Sequence, residues 1–300
     1  MKKKTYLFAL MAMVLTLGSC SDNENGIGGE TSKYITVSTS IGNMTRVGTD
    51  ANGGQTFEEG DEISVYAWTG DATVAPETSE RVVNNAINKL TNGSWVSTPQ
   101  MLWKNNRDKH YFIGVYPTAA ISDLSAGEYT FDETKQVESD LLVAVNKDGI
   151  SYNADEQQTV PLTFTHVMAK LAVNLTYKNQ WGGIPTVEKV VVGNAAKEAT
   201  INYLTKVVTP STTAKEDFSL PEITENTKYV SVIIPQEDVK QLTIVIGGKN
   251  FVYDNGTPFK LESGKITTVN LEVGRDEIKL GDVKITNWED GSTFSGEALN

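Results

Sequence analysis

The apolar residues of this chain fall in short alternating runs separated by turn clusters, and that pattern leaves few folds open. Tyr34 to Ile41 is the clearest case: Ile35, Val37 and Ile41 fall on one face of an extended strand, Thr36, Ser38 and Ser40 on the other. Similar runs recur at Asp61 to Trp68, Tyr111 to Tyr116 (stopped by Pro117), Leu141 to Val145, Leu162 to Val167 and Lys170 to Leu175. They continue at Val187 to Val192, Thr200 to Val208, Tyr229 to Ile234, Leu242 to Ile246, Phe251 to Tyr253, Thr267 to Val273 and Val283 to Trp288. Valine, isoleucine, threonine and aromatic residues dominate these runs, as pleated strands require. Ala86 to Trp95 reads as a hairpin turning at Asn92-Gly93, a strong short-range hairpin signal. A short amphipathic helix over Ser79 to Leu90 is the weaker alternative. Spacing is uneven, and no repeat of fixed period is visible.

The count and spacing of strands predict an all-β chain of two tandem antiparallel β-sandwich domains. The polar stretch Asn153 to Gln158 sets the expected boundary, giving domains over 33–158 and 159–300. With 39% hydrophobic residues the chain has enough material for a real core.

The only cysteine is Cys20, so no disulfide is available and the fold must rest on packing and ladder hydrogen bonds. Its position is informative. Lys2, Lys3 and Lys4 precede an apolar run from Thr5 to Gly18 that falls short of the roughly 20 residues a spanning helix needs. Residues 1–19 therefore read as a secretory signal, excluded from fold reasoning. Leu17-Gly18-Ser19-Cys20 resembles a bacterial lipobox, in which the cysteine is diacylated and becomes the new N-terminus. Each acyl CH₂ contributes about 0.8 kcal/mol of membrane affinity, so two or three chains hold a protein on a membrane. Residues 20–32, acidic and then glycine-rich, read as a tether, and Ser21 to Asn25 resembles the acidic export tags of some Gram-negative surface lipoproteins.

Charge and motifs narrow the function by exclusion. A formal charge of −12 argues against nucleic acid and against an anionic membrane surface as partners. There is no Gly-x-Ser-x-Gly elbow, no HExxH, no phosphate-cradling loop and no cysteine cluster. Asp22 to Gly26 faintly suggests a calcium loop but lacks the closing bidentate glutamate. The expectation is a non-enzyme without metal or cofactor, although paired carboxylates cannot be recognised from spacing alone. His166, between Thr165 and Val167, reads as a hydrogen-bonded structural histidine near the core. The tryptophans Trp68, Trp95, Trp103, Trp181 and Trp288 read as core or strand-end residues. A platform of exposed indoles for sugars is the alternative, and with it a surface glycan-binding lipoprotein.

Several pieces, in order, carry a resemblance. They are the lipobox at Cys20, a first strand ending in Met44-Thr45-Arg46, and Phe57-Glu58-Glu59-Gly60-Asp61-Glu62-Ile63-Ser64-Val65-Tyr66. Then come Tyr111-Phe112-Ile113-Gly114-Val115-Tyr116-Pro117, Leu162 to Leu171, and Ile285-Thr286-Asn287-Trp288. The set resembles the fimbrillin family, the pilins of type V pili. The resemblance implies transthyretin-like sandwiches, export as an outer-membrane lipoprotein precursor, proteolytic maturation after a basic residue following the first strand, and head-to-tail assembly with other fimbrial subunits at the cell surface. Arg46 occupies the processing position, making Val47 the mature first residue, and the surrounding Gly42 to Gly54 has the composition of an exposed, cleavable loop. Its partners would then be a processing protease, the outer membrane before maturation, and sister subunits.

Loss of the first strand has a physical consequence. Ile35, Val37 and Ile41 would withdraw from the core at about 1.5–3 kcal/mol each. An unpaired strand edge would open, and such an edge accepts a strand from another chain. A contact of this head-to-tail kind does not close on itself and grows a filament. The family's donor is a C-terminal segment. Here the candidate donor residues Ile278, Leu280, Val283 and Ile285 alternate in two pieces broken by Gly281-Asp282, and few apolar residues follow Trp288. The chain thus either donates through 276–288 or accepts a strand without giving one, as a fibre tip does.

Overall fold

The computed structural model describes residues 33–42, 56–153, 156, 158–276 and 278–288. Among these, the first half contributes β1 (Thr36–Ile41), β2 (Glu62–Thr69), β3 (Val83–Thr91), β4 (Ser94–Thr98), β5 (Lys109–Tyr116), β6 (Gly127–Thr130), β7 (Leu142–Ser151) and β8 (Thr159–His166). The second half contributes β9 (Ala169–Tyr177), β10 (Val187–Ala196), β11 (Glu198–Asn202), β12 (Val207–Pro210), β13 (Lys215–Leu220) and β14 (Glu222–Thr224). It continues with β15 (Lys228–Ile233), β16 (Gln236–Ile246), β17 (Lys249–Leu261), β18 (Lys265–Val273) and β19 (Ile278–Asn287). The all-β expectation holds. The helix alternative over Ser79 to Leu90 does not: a single 3₁₀ turn at Thr78–Glu80 and two linking residues lead into strand from Val83, and Asn92 and Gly93 turn it into β4 with φ of 51° and 72°. Two consecutive positive φ values are what a two-residue type I′ turn requires.

Seven strands form the first sheet in the order β1-β8-β7-β5-β2-β3-β4. It curls until its two edge strands meet. The Trp95 indole N–H on β4 donates to Thr39 Oγ1 on β1 at 3.0 Å, and the Ile35 amide donates to the Met101 carbonyl at 3.0 Å. The inner face encloses a core of Ile35, Val37, Ile63, Val65, Phe112, Leu142, Val160, Leu162, Phe164, Met101 and Trp103. The middle strands are buried on both faces. Ile63, Val65 and Ala67 of β2 point inward, while Tyr66 and Trp68 point outward into a second core. A strand covered on both sides reads as a near-continuous apolar run, and Ile63 to Trp68 is one apart from Ser64, whose buried hydroxyl accepts from the Ala119 amide at 2.9 Å.

The second half is a sandwich of a four-stranded sheet, β13-β10-β16-β17, on a five-stranded sheet, β14-β15-β9-β18-β19. Val190, Val192, Leu242 and Ile244 meet Leu171, Val173, Val269 and Leu271 between them. A small third sheet, β12-β11-β6, ties the halves together, because β6 from the first half pairs with β11 from the second. The core of the second sandwich therefore runs without a break onto the outer face of the first sheet, through Tyr66, Trp68, Ile113, Phe131, Ile201 and Tyr203.

The region expected as a single strand from Thr200 to Val208 is instead the hairpin of β11 and β12. Its turn was hidden because Tyr203 and Leu204 are buried, the Tyr203 amide donating to the Leu124 carbonyl at 2.8 Å. Position 159, where the sequence suggested a domain start, is the first residue of β8. That strand pairs with β1 and β7 inside the first sheet, and the chain passes to the second sandwich through Val167 and Met168.

Candidate functional site

β1 lies parallel to β8, from Thr36 opposite Thr159 to Ile41 opposite Phe164. Parallel neighbours cannot be joined by a short turn, so β1 is held to β8 by the ladder and by side chains rather than by local connection. Ile35 and Val37 are buried and Ile41 is half-buried, so the inward set read from the sequence is the observed one. The outward hydroxyls pair across the ladder: Thr36 and Thr159 at 3.1 Å, Ser40 and Thr163 at 3.1 Å.

The wall opposite β8 is different. It has the Ile35–Met101 hydrogen bond, the Trp103 amide donating to the Lys33 carbonyl at 3.3 Å, and the Trp95 indole N–H on Thr39. β1 thus fills a slot with a backbone ladder on one side and a few discrete contacts on the other. At the Ile41 end the slot is floored by Phe57, whose ring meets Trp95, Tyr116 and Phe164 edge-on at 5.1–5.4 Å. The neighbouring residues of that motif are structural. Glu59 accepts from the Asn92 and Gly93 amides and so caps the β3–β4 turn, Asp61 accepts from the Glu58 amide at 2.7 Å, and Gly60 adopts φ of 97°. Cys20, Arg46 and Val47 lie outside the described residues.

At the other end of the chain, β19 is the edge strand of the five-stranded sheet, antiparallel to β18. A β-bulge at Gly281 shifts the register between Asn270 and Leu271. The consequence is that Ile278, Leu280, Val283 and Ile285 stand opposite Val273, Leu271, Val269 and Thr267, all four of which are buried. The two pieces that seemed out of phase in the sequence therefore share the core face. The face is only half covered: Leu280, Val283 and Ile285 are 38–39% exposed.

β19 ends in an anchor. Trp288 is 1% exposed and stacks on His166 with ring centroids 4.2 Å apart and planes 15° off parallel. Lys170 Nζ lies 4.1 Å from the same indole centroid, and His166 Nδ1 is 2.7 Å from Asp140 Oδ1. His166 ends β8 and Lys170 is the second residue of β9, so this cluster sits on the joint between the sandwiches. His166 is the hydrogen-bonded structural residue that its strand suggested. Asp140 and the role of Trp288 were missed, since their pairing spans most of the second half of the chain. His110 is likewise structural. Its Nε2 accepts from the Lys104 amide at 3.0 Å, which puts the proton on Nδ1 beside the Asp108 carbonyl, and burial holds its pKa below the ordinary value.

Trp68, Trp103 and Trp288 are buried and Trp95 and Trp181 half-buried, so the described residues offer no row of exposed indoles for a sugar. They also hold no group of three histidine, cysteine or carboxylate side chains placed to share a metal.

The fold and slot define a class first: an all-β protein of sandwich architecture whose first described strand completes a sheet formed mainly by later ones. The chain belongs to the fimbrillin-like family, whose model matches residues 45–288. Solved structures agree in fold. A proposed cell adhesion protein from Bacteroides uniformis superposes with a TM-score of 0.63 at 19% identity, covering 85% of this chain and 98% of that one. One from Bacteroides ovatus gives 0.62 at 18%, with coverage of 85% and 98%. The tip fimbrial protein Mfa3 from Porphyromonas gingivalis, truncated at its C-terminus, gives 0.50 at 12%, with coverage of 85% and 99%. No curated protein matches the sequence.

Proposed function

We propose that this chain is a subunit of a cell-surface fimbrium, structural or at the tip, exported as a precursor lipidated at Cys20 and matured by cleavage after Arg46. Cleavage detaches the chain from its lipid and lets β1 leave its slot, and a strand from a neighbouring subunit then takes its place. The observation that carries this reading is the seating of β1. It is hydrogen-bonded along β8, buries Ile35 and Val37, and leads directly into the segment that contains Arg46 and Val47. Its departure leaves about 1.5–3 kcal/mol of uncompensated burial for each of those two side chains, together with a bare edge on β8. Refilling by another chain is β-augmentation.

β19 is the candidate donor, since Ile278, Leu280, Val283 and Ile285 already form one apolar face on an edge strand. Giving it up requires extracting Trp288 from the joint, so donation and retention are two distinct states of the same strand. The test is mass spectrometry of fimbriae sheared from cells. Chains starting at Val47 and co-purifying with sister subunits are expected; chains that all retain lipidated Cys20 would contradict the maturation step. Deleting Lys279 to Asn300 tests donation: unchanged fibres mean the chain only accepts, and blocked growth by a shortened chain that still unfolds cooperatively in denaturant means β19 donates.

A further inference from the structure

The inward row of β1 is not uniformly apolar. It reads Ile35, Val37, Thr39, Ile41, with a hydroxyl at the third place. That hydroxyl faces Trp95, whose indole N–H donates to Thr39 Oγ1 at 3.0 Å. The indole is fixed from behind by Phe57, edge-on at 5.3 Å and 82°, so the N–H cannot swing elsewhere without repacking the slot floor. An indole N–H only donates, and a partly buried donor that loses its acceptor costs more than the bond itself contributed. The ladder on β8 is blind to side chains. Thr159 and Thr163 meet the outward hydroxyls, and Trp95 reads a side chain of the inward row.

The geometry points to Trp95 as a specificity residue: resting on the strand-exchange reading above, the slot selects an incoming strand with apolar residues at its first two inward positions and a hydrogen-bond acceptor at the third. A second copy of this chain carries such a strand. In β19 the sequence Val283-x-Ile285-x-Asn287 supplies apolar, apolar and amide carbonyl in that order. The alternative frame, Ile278-x-Leu280-x-Asp282, would turn Val283 and Ile285 outward to water, so the Val283 frame is the better match at the first three places, with Glu289 falling at the half-buried Ile41 place. A wholly apolar strand, otherwise the better filler for a hydrophobic slot, is disfavoured because it strands the indole N–H.

The test uses the full chain with one engineered protease site within residues 43–55, cut so that β1 can exchange. A labelled peptide of residues 33–42 is titrated against the cut protein, in parallel with its Thr39→Val and Thr39→Ser forms and with a peptide of residues 281–289. The native, Thr39→Ser and 281–289 peptides are expected to bind, with the Thr39→Val peptide about tenfold weaker. In a Trp95→Phe protein, which keeps a ring against Phe57 but lacks the N–H, that gap is expected to vanish. Equal binding of the native and Thr39→Val peptides to the unaltered slot would overturn the readout while leaving strand exchange standing. Failure of every peptide, the native one included, would overturn strand exchange and the readout with it.

Discussion

β1 and β19 are both edge strands, one near each end of the chain, yet they are held in opposite ways. β1 is held along its length: its inward side chains are buried in a slot, its outward hydroxyls pair with β8, and its far side touches Met101, Trp103 and Trp95. β19 has a full ladder with β18 but leaves its apolar face half open, and it is pinned at one point by Trp288. The difference teaches where each strand's free energy resides. For β1 it is spread along a groove, over the β8 ladder, the buried Ile35 and Val37 and the paired outward hydroxyls. For β19 it is concentrated in one indole at the joint, so the strand stays or leaves according to that residue.

The largest expected effect is at the pin. Trp288→Ala removes a fully buried indole from against His166 and Lys170 and should cost about 3–5 kcal/mol in denaturant unfolding. It should also expose β19 to proteolysis before the rest of the sandwich. Loss of stability without preferential clipping of β19 would break the idea of a single-point anchor. Next comes the slot. Ile35→Ala should cost about 2–5 kcal/mol at that site, appearing as faster amide hydrogen exchange confined to Thr36–Ile41. Exchange that rises equally in β10 and β16 would mean β1 opens only with the whole fold. The smallest effect is on the open face of β19. Leu280→Ser and Ile285→Ser should each lower stability by about 1 kcal/mol, because these side chains are only partly covered. If this chain donates β19, Ile285→Ser should nonetheless lower polymer yield, which separates a surface side chain from one that is buried only after exchange.

Much of this contrast is legible in the sequence at the β1 end and little at the β19 end. Period-two alternation named Ile35, Val37 and Ile41 as the inward face because β1 lies in one layer with one buried side. Thr39 escaped that reading, since a threonine in a strand is indistinguishable from a solvent-facing one until Trp95 is seen beside it. For β19, alternation placed Leu280 and Val283 on opposite faces, and only the extra residue at Gly281 brings them into one row. No local pattern announces a bulge, because it is set by the partner strand's register. The joint was hidden for a similar reason: Asp140, His166, Lys170 and Trp288 come from separate elements and meet only once both sandwiches are assembled.

Locking β1 in place tests the central claim most directly. Ser40 and Thr163 are opposite each other in the parallel ladder, their hydroxyls 3.1 Å apart, so a Ser40→Cys/Thr163→Cys pair is positioned to close a disulfide across it. Cut after Arg46 but oxidised, that protein should remain unassembled on non-reducing gels, and adding reductant should restore polymer ladders. Ladders of normal length with the disulfide intact would show that assembly does not require β1 to leave.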